Sequence, residues 1–171
     1  MFKLTDEISK YRLPWLILAL MMLTLISIGL YFQYILNYQP CVQCIYVRVA
    51  FVGMMIIGLL TALFPHNPAW KLCGSFALLT MTLYGLHHAH ELVLIEEIQA
   101  AGGFTTCALF ANFPDWLKLD EWFPNVFEVR GSCGSNGWYF INMSMAEWSR
   151  LILLINATVS LFIIVAQTNK D

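Results

Sequence analysis

The chain has 171 residues, 59% of them apolar and only 12% charged, with a mean hydropathy of +0.66. A soluble domain averages about 45–50% apolar and 25% charged residues, so the composition excludes an ordinary soluble protein and indicates a membrane protein of one domain, 1–171. A net charge of −2 argues against nucleic acid as a partner.

The charges are clustered. Asp, Glu, Lys and Arg are absent from Leu13 to Val47, Val49 to Trp70, Leu72 to His90 and Leu151 to Asn169. A spanning helix needs roughly 17–25 mostly apolar residues, and backbone groups in lipid must be satisfied within the segment. The gaps therefore predict four helical spans near 14–36, 45–64, 71–92 and 147–167, packed as a bundle. The fold class expected is an all-α, four-transmembrane-helix membrane protein. The first span follows Lys3, Lys10 and Arg12 as a signal peptide would, but its apolar core exceeds the usual roughly 7–15 residues and no small-residue cleavage site follows. It reads as a retained anchor.

An even number of spans puts both termini on one side. The tails and the second connection hold Lys3, Lys10, Arg12, Lys71 and Lys170, whereas the longer third connection holds Lys118 and Arg130, with Arg150 entering the last span. The positive-inside rule makes the termini cytoplasmic. The outer loops, about 37–44 and 93–146, then carry Cys41, Cys44, Cys107 and Cys133, all in an oxidising compartment. Cys73 lies at the cytoplasmic end of span three and reads as a packed thiol.

The first outer loop leads into Pro40-Cys41-Val42-Gln43-Cys44-Ile45-Tyr46-Val47-Arg48. Proline suits a helix start, which puts Cys44 in or near the first turn, where the helix dipole favours a thiolate. Arg48 is four residues on, on the same face. It supports that thiolate or a polar ligand group beside it, or else it snorkels to the headgroups; an ionisable residue in a span is a functional candidate by default.

Span three ends in Leu86-His87-His88-Ala89-His90-Glu91, where His87, His90 and Glu91 share a helix face. No second ligand cluster is evident, so no metal is expected; contact with a headgroup or cofactor, or plain interfacial histidines, are the readings left open. In the second outer loop, Ala101-Gly102-Gly103 is a flexible break. Phe113 to Pro124 alternates Trp and Phe with acids and a lysine, which predicts a short helix lying on the membrane surface. Asn142-Met143-Ser144 matches a glycosylation sequon by chance, abutting span four.

Two cysteine pairs on one oxidising face suggest thiol–disulfide exchange, since C-x-x-C at a helix start is the spacing at which thiol reactivity is tuned. Static disulfide staples and a four-thiolate zinc site are the alternatives; zinc sites usually bring two close pairs.

The chain resembles the disulfide bond formation protein B (DsbB) family of bacterial inner-membrane thiol oxidases. The resemblance rests on Pro40-Cys41-Val42-x-Cys44-Ile45-Tyr46-x-Arg48, Phe104-x-Thr106-Cys107, and the run from Phe113-Pro114-x-Trp116-Leu117 to Val126-Phe127. Gly131-x-Cys133 with Trp138, and Met145 with Trp148, complete it in order over nearly the whole chain. It implies a relay in which a reduced periplasmic DsbA-type protein attacks the Cys107–Cys133 disulfide at Cys107. Electrons then pass through a transient Cys133–Cys41 bond to Cys41–Cys44, and from Cys44 to a membrane quinone, ubiquinone or menaquinone, with Arg48 stabilising developing negative charge. It also implies an inner-membrane location with periplasmic cysteines. Family members often carry a histidine near the outer end of span three. Here a leucine falls at that count from Cys107, with His90 or His87 as its stand-in, and Met145 fits as a quinone neighbour. A paralogue dedicated to one DsbA-like partner and a non-enzymatic stapled scaffold are the competing functions. A vitamin K epoxide reductase-like enzyme is disfavoured, because that family places its cysteine motif in the last span of the bundle.

Overall fold

The computed structural model describes residues 11–105, 107–134 and 138–168. Lys3, Lys10 and Lys170 of the orientation reading, and Thr106, lie outside them. The chain is mostly helical, in the order α1 (Arg12–Tyr34), α2 (Val42–Leu63), α3 (Pro68–Ala100), α4 (Leu119–Trp122), α5 (Pro124–Phe127), β1 (Tyr139–Phe140), β2 (Met143–Ser144) and α6 (Met145–Thr168). Among the described residues, α1, α2 and α6 are long and apolar enough to cross a membrane. The longest helix, α3 with 33 residues, is less apolar, because Ser75, Thr80, Thr82, His87 and His88 interrupt its middle and Glu91, Glu96 and Glu97 its end.

The packing follows from which faces can approach. α2 lies between α1 and α3, and α6 packs on α3. Trp15, Met22, Phe51, Met54, Leu78 and Leu153 fill the centre. At Gly85 the helices come so close that a Cβ would lie 2.6 Å from that of Ala50 and 3.2 Å from Leu153, which is how α2 and α6 both reach α3. Leu20, Ile35, Leu59, Leu63, Leu154 and Leu161 point outward and are exposed. Water would penalise an apolar belt of that extent, whereas lipid accepts it.

The helix ends differ from expectation in instructive ways. Cys41, not Pro40, begins α2: it is the N-cap, with extended backbone, and its sulfur accepts a bond from the Cys44 N–H at 3.4 Å. Pro40 stands one residue outside. α3 starts at Pro68 behind an Asn67 cap that accepts from Ala69 and Trp70 N–H. It runs on to Ala100, two turns beyond the expected start of the second loop at 93. Glu96 and Glu97 therefore lie within the helix rather than beyond its end. The end comes at Gly102, whose φ of 79° is left-handed. Gly102 N–H returns to the Gln99 carbonyl and Gly103 N–H to that of Ile98, the Schellman arrangement for which glycine is suited. The expected flexible break is thus an ordered cap.

In the second loop, the anticipated surface helix is two separate turns, α4 and α5, because Pro124 has no N–H with which to continue α4. Trp116, Trp122 and Phe123 are exposed while Phe127 is buried. The hairpin β1–β2 then turns through Ile141 and Asn142, both at positive φ. It delivers the chain to α6 through Ser144-Met145-Ala146-Glu147, a reciprocal capping box: Glu147 N–H bonds Ser144 Oγ at 3.2 Å and Ser144 N–H bonds Glu147 Oε2 at 2.7 Å. Cys73 corrects the expectation of a packed thiol; it is exposed on the outward face of α3, where a thiol behaves as a small hydrophobe.

Candidate functional site

The second loop is fastened to the first at one acceptor. Both Arg130 N–H and Gly131 N–H donate to the Pro40 carbonyl, at 3.1 and 3.0 Å, next to the Cys41 cap. Position 131 must lack a side chain, since a Cβ there would lie 2.5 Å from the Gln39 carbonyl oxygen. From the α3 side, the Gln99 amide donates to the Cys133 carbonyl at 2.9 Å and to Thr105 Oγ1 at 3.2 Å. These bonds seat Cys133 in one buried apolar cluster with Cys41, Val42, Leu92, Val93 and Ala146, against which Cys44 and Cys107 also pack. Cys107 and Cys133 form a disulfide, with Cα atoms 5.9 Å apart. Cys41 and Cys44 are free thiols whose sulfurs lie 2.9 Å apart. All four expected cysteines thus converge, with one pair bonded and the other not.

The two free thiols are not equivalent. Cys41 is buried, and the hydrogen bond it shares with Cys44, reinforced by burial, pushes its thiol well above the ordinary range. It is the sulfur that keeps its proton. Cys44 occupies the third position of α2, where helix N–H groups favour negative charge, and Arg48 lies one turn below.

Arg48 does not snorkel. It is buried at 8% exposure, donates to Gln33 Oε1 at 2.9 Å and bonds the Val126 carbonyl. α1 adds Tyr34, whose hydroxyl donates to the Asn125 carbonyl at 2.7 Å. The guanidinium therefore also anchors the second loop through α5.

Cys41, Cys44, Arg48 and Met145 line one cavity of about 320 Å³ between α1, α2, α3 and α6. Its walls are largely apolar, including Ile26, Phe51, Leu92 and Ile152. His90 is not among them. It is exposed on another face, in a shallow groove with His87 and Arg150, and Leu92 stands at the cavity instead.

Several site residues were not foreseen. Glu96 lines the cavity and accepts from Ser144 Oγ at 2.6 Å; burial raises its carboxyl above the usual range, partly offset by the Ser144 bond and reinforced by Glu147. Ser144-x-x-Glu147 was legible as a capping box; Glu96 was hidden by placing the loop start too early. Gln43, between the two α2 cysteines, donates to Glu91 Oε2 at 2.9 Å, and its Oε1 lies 2.7 Å from His88 Nδ1. A carboxylate only accepts, so it fixes the amide's orientation, and His88 Nδ1 must then carry a proton. This clamp ties the cysteine turn to α3. His87, His88 and Glu91 bring ligand atoms within 4.8 Å of one another, with His88 rather than His90 as the third member.

A C-x-x-C turn docked on a loop disulfide, at the mouth of an apolar cavity in a helical membrane protein, is an arrangement for passing electrons between thiols. The comparisons agree. The family described as disulfide bond formation protein DsbB matches residues 11–163. A disulfide bond formation protein B of Sodalis glossinidius is 35% identical over 169 residues, covering 98% of this chain and 93% of that protein. One from Vibrio vulnificus is 35% identical over 171 residues, covering 100% and 98%, and one from Salmonella typhimurium is 33% identical over 174 residues, covering 99% and 95%. With the match running from the first helix into the last and the cysteine turn, loop disulfide and apolar cavity in place, the chain belongs to the DsbB family of disulfide-forming membrane oxidoreductases.

Proposed function

We propose that the protein reoxidises a periplasmic DsbA-type dithiol and passes its electrons to a membrane quinone, ubiquinone or menaquinone. The observation that carries this reading is the cavity of about 320 Å³, which brings Cys44, Arg48 and Met145 together among apolar side chains. Small-molecule sites have this character: apolar walls with a few placed polar groups.

The relay runs by thiolate attack on disulfide sulfur. The partner's thiolate attacks Cys107, joining it in a mixed disulfide and releasing Cys133 as thiolate. Cys133, seated beside Cys41 by the Pro40 contact, attacks the Cys41–Cys44 disulfide at Cys41 and releases Cys44. The partner's second thiol then displaces Cys107, which recaptures Cys133 and leaves Cys41 and Cys44 reduced. Cys44 next delivers the electron pair into the cavity as the Cys41–Cys44 bond re-forms. Arg48, held by Gln33 and Val126, is pre-placed to stabilise negative charge on sulfur and on an acceptor oxygen. The quinone supplies a two-electron sink more oxidising than a DsbA-type pair, which is itself near about −120 mV.

This reading places α1, α2, α3 and α6 across the bacterial inner membrane, with both termini cytoplasmic and the cysteines periplasmic. The exposed Trp116, Trp122 and Phe123 then rest on the lipid surface. The test is to mix purified protein with a reduced DsbA-type partner and excess ubiquinone, or menaquinone, and follow quinone absorbance. Consumption that requires both the partner and Cys44, judged with Cys44→Ser, is the expected result. No consumption with either quinone would leave a stapled membrane scaffold.

A further inference from the structure

Reduction of a quinone consumes two electrons and two protons. The α2 thiols supply both electrons but not both protons: Cys41 keeps its hydrogen, while Cys44 reacts as the thiolate its position favours. One proton must come from another group that reaches the cavity. Arg48 is a poor acid, committed to Gln33 and Val126. The hydroxyls of Tyr38, Ser132 and Ser149 are far weaker acids than a carboxyl. His87 and His90 lie outside it. Glu96 remains, the one carboxyl among the described residues that line the cavity.

Deepening the quinone reading and resting on it, we infer that Glu96 is the proton donor to the acceptor in this cavity, positioned by Ser144. The geometry is built for the task. Ser144 is buried, accepts from Glu147 N–H through the capping box, and donates to Glu96 Oε2 at 2.6 Å. That bond orients the carboxyl and leaves Oε1 to carry the proton. Burial favours the protonated form. The titratable and charged groups around it are Cys41, Cys44 and Arg48 at the α2 end, Tyr38 in the first loop and Glu147 on α6. The step balances: Cys41–SH, Cys44–S⁻ and Glu96–COOH become the Cys41–Cys44 disulfide and Glu96–COO⁻, while two electrons and two protons pass to the quinone, which leaves as quinol. Glu96 regains its proton from the outer water.

The test compares Glu96→Gln and Glu96→Asp with the parent in single turnovers of pre-reduced protein with ubiquinone across a pH series. Glu96→Gln should slow the step about a hundredfold, the lower end of what a positioned proton donor contributes. The KM for quinone should barely change, and the fall in rate with rising pH should disappear; Glu96→Asp should recover much of both. Infrared titration of quinone-free parent protein gives an independent readout: a protonated-carboxyl band surviving above the ordinary carboxylate range and absent from Glu96→Gln. If Glu96→Gln fails to form the Cys107–Cys133 disulfide, the Asp variant and the infrared band carry the decision. A parent that reduces no quinone defeats the function reading. A parent that reduces quinone while Glu96→Gln keeps its rate and pH profile overturns the role of Glu96 alone. Equal loss in both variants with a raised KM, or no such infrared band, overturns it as well.

Discussion

Gly131→Ala isolates the contact that joins the two cysteine loops. The new Cβ would lie 2.5 Å from the Gln39 carbonyl oxygen and 3.0 Å from its carbon. Both atoms are backbone next to Pro40, so no side chain can swing aside and the loop must lift. Lifting breaks the bonds from Arg130 and Gly131 N–H to Pro40. At about 0.5–1.5 kcal/mol each, they are together worth about 1–3 kcal/mol, a roughly 5- to 150-fold loss of the docked arrangement. The second loop would stay tethered through Gln99, Tyr34 and Arg48, so the damage should be local. Hydrogen exchange at residues 130 and 131 should accelerate by that factor. Formation of the Cys41–Cys133 disulfide should slow in step, while attack on Cys107 by a small thiol stays unchanged. Exchange and cross-linking both within about twofold of the parent would refute the claim that this contact seats Cys133 on Cys41.

Arg48→Met removes a charged donor from Gln33 and Val126; charged hydrogen bonds contribute about 1.5–3 kcal/mol each, so α5 should detach, seen as faster protease cleavage between α4 and α5. Arg48→Lys keeps the charge but not the planar fork and should fall between the two. Ser144→Ala should lower the melting temperature through loss of about 1 kcal/mol of capping, and should raise the Glu96 carboxyl further, because the lost bond favours its charged form; infrared titration reads the second effect. Glu96 also sets a pH dependence of stability. Its folded carboxyl titrates above the usual 4.5, so the native state holds the proton longer than the unfolded chain. Stability should therefore fall as pH rises from the ordinary carboxylate range through the raised value. Thermal unfolding in detergent should show that slope in the parent and lack it in Glu96→Gln.

Much of this fold could be read from where charge is missing. The uncharged runs around Met22, Met54, Leu78 and Leu153 coincide with the four long helices, and Cys41 and Cys44 open α2 as the dipole reasoning requires. What escaped reading were features that depend on distance between segments. The uncharged run stops before Glu91, so span three reads as ending near residue 92, although Leu92 to Ala100 are mostly good helix formers and the left-handed Gly102 closes the helix. That boundary leaves Glu96 in the loop, and His90 is a candidate only through the family resemblance, which implies a histidine near the outer end of span three. His90 fell on the wrong face because Ala89 and Leu92, not His90, point inward. Gln43 carries no local signal of its role, since nothing near it in the sequence reveals that His88 and Glu91 face it across the helix interface.

The two extra turns of α3 do more than prolong a helix. Val93 to Ala100 rise about 12 Å, and Gln99 near their tip holds the Cys133 carbonyl. The helix serves as a mooring post, fixing how far the loop disulfide stands beyond the packed centre of the bundle. The disulfide is thereby held at one end of the bundle, while Cys44 stays one loop contact away at the apolar cavity. A shorter α3 would draw the disulfide down onto the bundle, and a longer one would carry Cys133 out of reach of Cys41.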